Sequence, residues 1–154
     1  MGDNDVKDLY LLHRQAQDKY SYFLLAAAAS GLGFAIQKSE NLPLHWTMLL
    51  LAAAALAWLG SFFCGVRNIS KVLTALGANY GLLQLKSGRH ENQPPDADST
   101  TGAIRGIIRV IDVSANQARH YANWQFYLLV AGAVLFLAWH VARLVVGNPI
   151  GVCR

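Results

Sequence analysis

Three windows of the sequence contain no Asp, Glu, Lys or Arg: residues 20–37, 41–66 and 120–142, which are 18, 26 and 23 residues long. A helix rises about 1.5 Å per residue and a hydrocarbon core is about 30 Å thick, so each window has the length a membrane crossing needs. The sequence therefore predicts an all-α integral membrane protein with three transmembrane helices, at about 20–37, 42–66 and 121–146. With 54% of its 154 residues hydrophobic and only 14% charged, the chain is too apolar for an ordinary soluble domain of this size.

Each span continues into a polar but still periodic segment. Val6, Leu9, His13, Ala16, Tyr20 and Phe23 recur three and four apart, which predicts a first helix starting near Asp3 to Asp5 and running straight into the membrane. Beyond Arg67, the residues Ile69, Leu73, Leu76, Tyr80 and Leu83 are spaced four, three, four, three, the seam of a short coiled coil. Ile104, Ile108, Ile111, Ala115, Ala118 and Ala122 keep the same rhythm before the third span. Segments 4–19, 67–87 and 101–120 are thus expected to form a cytoplasmic helical stalk, an antiparallel three-helix bundle whose remaining apolar stripes join subunits. Residues 88–100, with Gly88, Pro94 and Pro95, are expected to be a flexible loop, and Ser99, Thr100 or Thr101 to cap the third helix.

Small residues recur four apart in the first two spans: Ala26 and Ser30, Ala27 and Gly31, Ala29 and Gly33, then Ala53, Ala57, Ser61 and Gly65. Lipid gives helices little hydrophobic reason to associate, so faces that let backbones approach matter for packing. Ser30, Gly31, Gly33, Ala53, Ala57, Ser61 and Gly65 are therefore the candidates for helix packing or pore lining. Leu73, Leu76, Tyr80, Leu83, Ile104, Ile108, Ile111 and Ala115 are the candidates for stalk assembly. Gly77 and Gly81 each weaken the helix by roughly 1 kcal/mol relative to alanine, which a close helix contact would offset.

Charge gives the orientation. Ten of the 13 Lys and Arg lie in the N-terminal segment or between residues 67 and 119, and three (Lys38, Arg143 and Arg154) lie on the other side. The positive-inside rule then places the N-terminus and the large loop in the cytoplasm and the C-terminus outside, in a multi-pass protein of the cell membrane, taken as a bacterial inner membrane. The net charge of +4 is accounted for by these borders, with no Arg/Lys cluster interleaved with aromatics, so no nucleic-acid partner is expected. Trp46 and Trp139 mark the outer border, and Tyr20, Tyr22, Phe62, Phe63, Tyr121, Trp124 and Tyr127 the inner one.

No GxSxG, HExxH, P-loop or CxxC pattern occurs, and the windows hold no ionisable carboxylate, lysine or arginine, so an enzyme or an ion-coupled transporter is not expected. Cys64 and Cys153 fall toward opposite faces and make no disulfide framework. His45 and His140 are the one pair placed to share a haem or a copper; ordinary interfacial histidine explains them more simply, and no cofactor or metal is expected. The leading expectation is a homo-oligomer whose spans form or gate a pore, with Ser30, Thr47, Ser61, Asn123 and Gln125 as its small polar groups. The alternative is a non-catalytic membrane anchor or accessory subunit whose stalk docks a cytoplasmic protein.

Overall fold

The computed structural model describes residues 3–40 and 46–147, and the side chains of 12, 15–40 and 46–145. Three helices, α1 (Asp3–Ser39), α2 (Met48–Lys86) and α3 (Ala97–Gly147), account for almost all of it, with no strand among the described residues. Their 37, 39 and 51 residues correspond to roughly 55, 60 and 75 Å, each well beyond the thickness of about 30 Å that a hydrocarbon core presents. Each contains a stretch long and apolar enough to cross a membrane. Helix α1 begins at Asp3, inside the expected interval, and Gly77 and Gly81 do not interrupt α2.

The turn after α2 is made by its own sequence. Ser87 N–H donates to Leu83 O at 3.0 Å, Gly88 N–H to Leu85 O at 3.3 Å and Arg89 N–H to Gln84 O at 3.0 Å. These bonds satisfy the last carbonyls of the helix in a Schellman arrangement, which requires a left-handed residue after the cap. Gly88 supplies it, with φ of 68°.

Helix α3 starts earlier than expected, at Ala97, and its cap is Asp96 rather than Ser99, Thr100 or Thr101. The Ser99 N–H donates to the Asp96 carboxylate at 2.8 Å, while the Thr100 and Thr101 hydroxyls donate back to Asp96 O and Ala97 O, both at 2.9 Å. A carboxylate at this place accepts the free N–H and also opposes the positive end of the helix dipole, which a hydroxyl cannot do. The Ser99 N–H, with the other hydrogen bonds around the carboxylate, holds Asp96 below its ordinary pKa of 3.8. A carboxyl depressed in the folded state contributes stability above its unfolded pKa and loses it as pH falls through the folded one. Protection of the first-turn amides of α3, relative to their intrinsic exchange rates, is therefore expected to fall as pH drops below the ordinary carboxyl range in the parent protein. The Asp96→Asn variant, whose cap does not titrate, should show no such step, and equal behaviour of the two would refute the assignment.

By internal contacts the chain divides into two compact units, Met1–Gly65 with Trp124–Arg154, and Val66–Asn123. The first contains α1, the first half of α2 and the last part of α3. Its helices run antiparallel in sequence order: Gly31 meets Trp58 and Leu25 meets Gly65, while Trp58 bonds Leu129 and Ser61 bonds Gln125. The core is Ala35, Leu51, Ala54, Trp58 and Trp139, with Leu32, Met48, Leu129 and Phe136 packed around it. Trp139 is 1% exposed and so faces inward, stacked on Phe136 at 5.4 Å, where an outer aromatic border was expected. Small residues at 35 and 54 leave the volume that its indole fills.

The second unit is a helical hairpin of α2 and α3 closed by the turn at Gly88. Its buried positions are Asn68, Leu82 and Leu85 on α2 and Ser114 and Ala118 on α3. Helix α1 contributes no residue to this unit.

Candidate functional site

Helix α1 has two unlike faces within the first unit. Leu24, Ala28 and Ala35 are buried and Gly31 half-buried, at spacings of four, three and four, and this stripe packs inward. On the opposite side Ala26, Ser30, Gly33 and Gln37 have the same spacing and are all exposed. No atom lies within 4 Å of where a Cβ on Gly33 would be. Outward positions on the other two membrane-length stretches are bulkier and apolar: Leu49, Leu56, Leu59 and Phe63 on α2, Val134, Leu137, Val141 and Leu144 on α3. Among the three, the stretch in α1 is also the least apolar. The outward stripe of α1 is thus small and weakly polar from Ala26 to Gln37, and exposed Tyr22, Phe23, Phe34 and Ile36 border it.

Inside the unit, glycines receive large side chains. A Cβ on Gly31 would lie 2.6 Å from the Trp58 indole, and one on Gly132 would lie 2.6 Å from the same ring. Trp58 is therefore clamped between a glycine of α1 and a glycine of α3. Its Nε1–H donates to Leu129 O at 3.3 Å, and Phe136 packs against it with ring centroids 5.6 Å apart. Further along, a Cβ on Gly65 would lie 2.6 Å from Gln125 Nε2 and 2.7 Å from Leu25 Cδ2. Ser61 Oγ donates to Gln125 O at 2.8 Å, a buried bond that ties α2 to the α3 backbone.

The packing and pore candidates therefore separate. Gly31, Ser61 and Gly65 lie against neighbouring helices of the same chain, Ala53 and Ala57 are half-buried, and Ser30 and Gly33 face outward. Thr47 and Gln125, expected beside them as pore-facing polar groups, are buried in the unit. Periodicity of the small residues does not single out Trp58, Gly132 or the packing role of Gln125. The signal for Trp58 is the spacing of Thr47, Leu51, Ala54, Trp58, Ser61, Gly65 and Asn68, a four, three repeat that marks the buried stripe of α2.

In the hairpin unit, Leu76, Ile104 and Ile111 are half-buried, while Leu73, Tyr80, Leu83, Ile108 and Ala115 are exposed. The α2 seam expected from the sequence lies next to the stripe that packs inward, which passes through Asn68, Leu82 and Leu85. One residue of offset on a helix is a rotation of about 100°.

His45 and Cys153 lie outside the described residues, and His140 is exposed, with its ring 6.3 Å from that of Trp139. Among the described residues no three His, Cys, Asp or Glu side chains gather as a metal site would require. No family model matches the chain, and neither a curated protein nor a solved structure is similar to it.

Proposed function

We propose that this chain assembles with copies of itself in a cell membrane and that the outward stripe of α1, Ala26, Ser30, Gly33 and Gln37, lines a pore at the centre of the assembly. The observation that carries this reading is the stripe itself: Ala26, Ser30, Gly33 and Gln37 are exposed along one line of α1 between the bulkier Phe23, Phe34 and Ile36, and two of the four are polar, whereas the exposed residues of the membrane-length stretches of α2 and α3 are mainly Leu, Val, Phe and Ala. A surface of that kind gains little from lipid contact but suits either a close helix contact or a narrow wet path. Among the described residues, Trp58, Phe136 and Trp139 fill the core of the first unit. That packing favours a pore between copies over one through a single chain. The charge count supports a cytoplasmic N-terminus and hairpin unit, and in this reading the hairpin assembles the copies or receives the signal that gates them.

Conduction tests the reading directly. Protein reconstituted in lipid vesicles is expected to pass small ions, and Ser30→Trp is expected to reduce the flux at least about tenfold by closing a passage only one or two side chains wide. Leu137→Trp, on the outward face of α3, should leave it unchanged. Silence across all voltages, pH values and lipid compositions would end the proposal. A second reading, an anchor or accessory subunit, is favoured by the exposed Ile108, Val110 and Val113 on the hairpin. A monomer in nanodiscs that captures one defined soluble protein through these residues would support it over the pore.

A further inference from the structure

Within the unit Val66–Asn123, α2 carries a second apolar stripe that its hairpin partner covers only in part, with Ile69 and Leu76 half-buried and the rest exposed. Val66, Ile69, Leu73, Leu76, Tyr80 and Leu83 alternate three and four apart. Leu73, Tyr80 and Leu83 are 61%, 65% and 60% exposed, and Val66 is 47% exposed. Together these four leave on the order of 400 Å² of mostly apolar surface open, the size of the largest patch on many soluble monomers, which is itself often functional. Where outward apolar residues face lipid they need no partner. Where a helix has left the bilayer they do.

Charge identifies the partner. Residues 72–85 contain no Asp, Glu, Lys or Arg, although Lys71 and Lys86 bracket them and Arg105, Arg109 and Arg119 stand on α3 of the same unit. Copies inserted the same way in one membrane are related by rotation about the membrane normal, so a seam between two of them runs parallel and sets each residue near its own counterpart. Any charge on such a seam meets the same charge, and a self-pairing face must exclude it. A foreign partner would impose no such rule. The positions flanking the seam, Ser70, Gly77 and Gln84 on one side and Val72 and Asn79 on the other, are uncharged as well until Lys86 ends the second row, where partner-selecting coiled coils place Glu and Lys throughout. Gly77 has no atom within 4 Å of its Cβ position, so nothing in its own chain uses the close approach that it permits.

We propose that this face of α2 is a parallel self-association seam in which Leu73, Leu76, Tyr80 and Leu83 of one copy pack against the same residues of a second. The inference rests on the self-assembly half of the reading above and is independent of conduction. Two such faces bury roughly 800 Å², short of the area of about 1,000 Å² that a free-standing specific interface needs. Confinement of both copies to one membrane in one orientation supplies the remaining advantage as effective concentration.

Single cysteines in full-length protein lacking its native thiols (Cys64→Ser, Cys153→Ser) test the seam by copper-phenanthroline oxidation in isolated membranes. Leu73→Cys and Tyr80→Cys are expected to give covalent dimer at least about fivefold above Arg105→Cys and Asn116→Cys, since disulfides need Cα atoms within about 7 Å and dilute collisions rarely hold them there. Leu73→Lys with Leu83→Lys is expected to shrink the assembly in nanodiscs while helix content by circular dichroism stays unchanged. Equal cross-linking at all four positions, none at any, or a product whose mass is that of a foreign protein would each overturn the proposal. Conductance measured on the same preparations separates the two readings: dimer without ion flux leaves the seam standing and removes the pore, and flux without dimer does the reverse.

Discussion

Trp58→Ala is expected to lower the stability of the membrane-length helical unit by about 3–5 kcal/mol, a large loss for a single truncation. The size follows from the position. The indole is held between Gly31 and Gly132 on two different helices, bonded to Leu129 O and packed on Phe136, so its removal empties a place where all three helices meet. In lipid the helices have little hydrophobic drive to close again, and the dispersion attraction forfeited along the cavity wall is not recovered. The reciprocal experiment is sharper. Gly31→Ala and Gly132→Ala are each expected to cost about 1–3 kcal/mol, because a methyl 2.6 Å from a rigid ring forces it to shift. In a Trp58→Ala background both should become neutral or stabilising. Gly33→Ala, with nothing in reach of its Cβ, is the control and should be neutral or slightly stabilising through helix propensity. Unfolding in mixed detergent, read by steric trapping, supplies the double-mutant cycle. A cost for Gly132→Ala that is the same in both backgrounds would show that the clamp does not exist.

The course of the helices was legible because charge is. Eighteen or more residues without a charge mark stretches long and apolar enough to cross a membrane, and the boundary at Asp3 and the unbroken α2 followed from periodicity alone. Helix rotation was not legible. On α2 two apolar stripes run side by side, one through Leu51, Ala54 and Trp58 to Leu82 and Leu85, the other through Leu73, Tyr80 and Leu83. Both satisfy a four, three rhythm, and in or near a membrane the contrast between inside and outside that would choose between them is missing. The small residues at 31, 61 and 65 stood out by size, but not the large side chains they receive: a glycine reveals close approach without naming the approaching group. Asp96 was hidden by chemistry rather than geometry. Three hydroxyl residues follow it, and the stronger acceptor one turn earlier takes the cap.

The second large effect concerns Gln125, whose replacement by leucine is expected to stabilise the unit by about 1–3 kcal/mol. The side chain is 0% exposed, and neither its Nε2 nor its Oε1 has a hydrogen-bond partner. Leucine has nearly the same volume and no amide to desolvate, so the substitution removes a penalty without opening a cavity. Gly65 makes room for this amide, and Gly65→Ala is therefore expected to be destabilising in the parent protein and tolerated beside Gln125→Ala. Ser61→Ala, which removes a bond to the Gln125 carbonyl rather than to its side chain, should cost only about 0.6 kcal/mol in either background, the usual worth of an interhelical bond in lipid. These signs are informative together. A destabilised Gln125→Leu protein would mean that the amide finds partners the closed unit does not give it. A stabilised one that has lost ion flux would mean that the chain keeps a costly amide because conduction needs the unit to open around it. A stabilised one with unchanged flux would place the pore elsewhere, on the outward face of α1, and make Gln125 and Gly65 a matter of packing register alone.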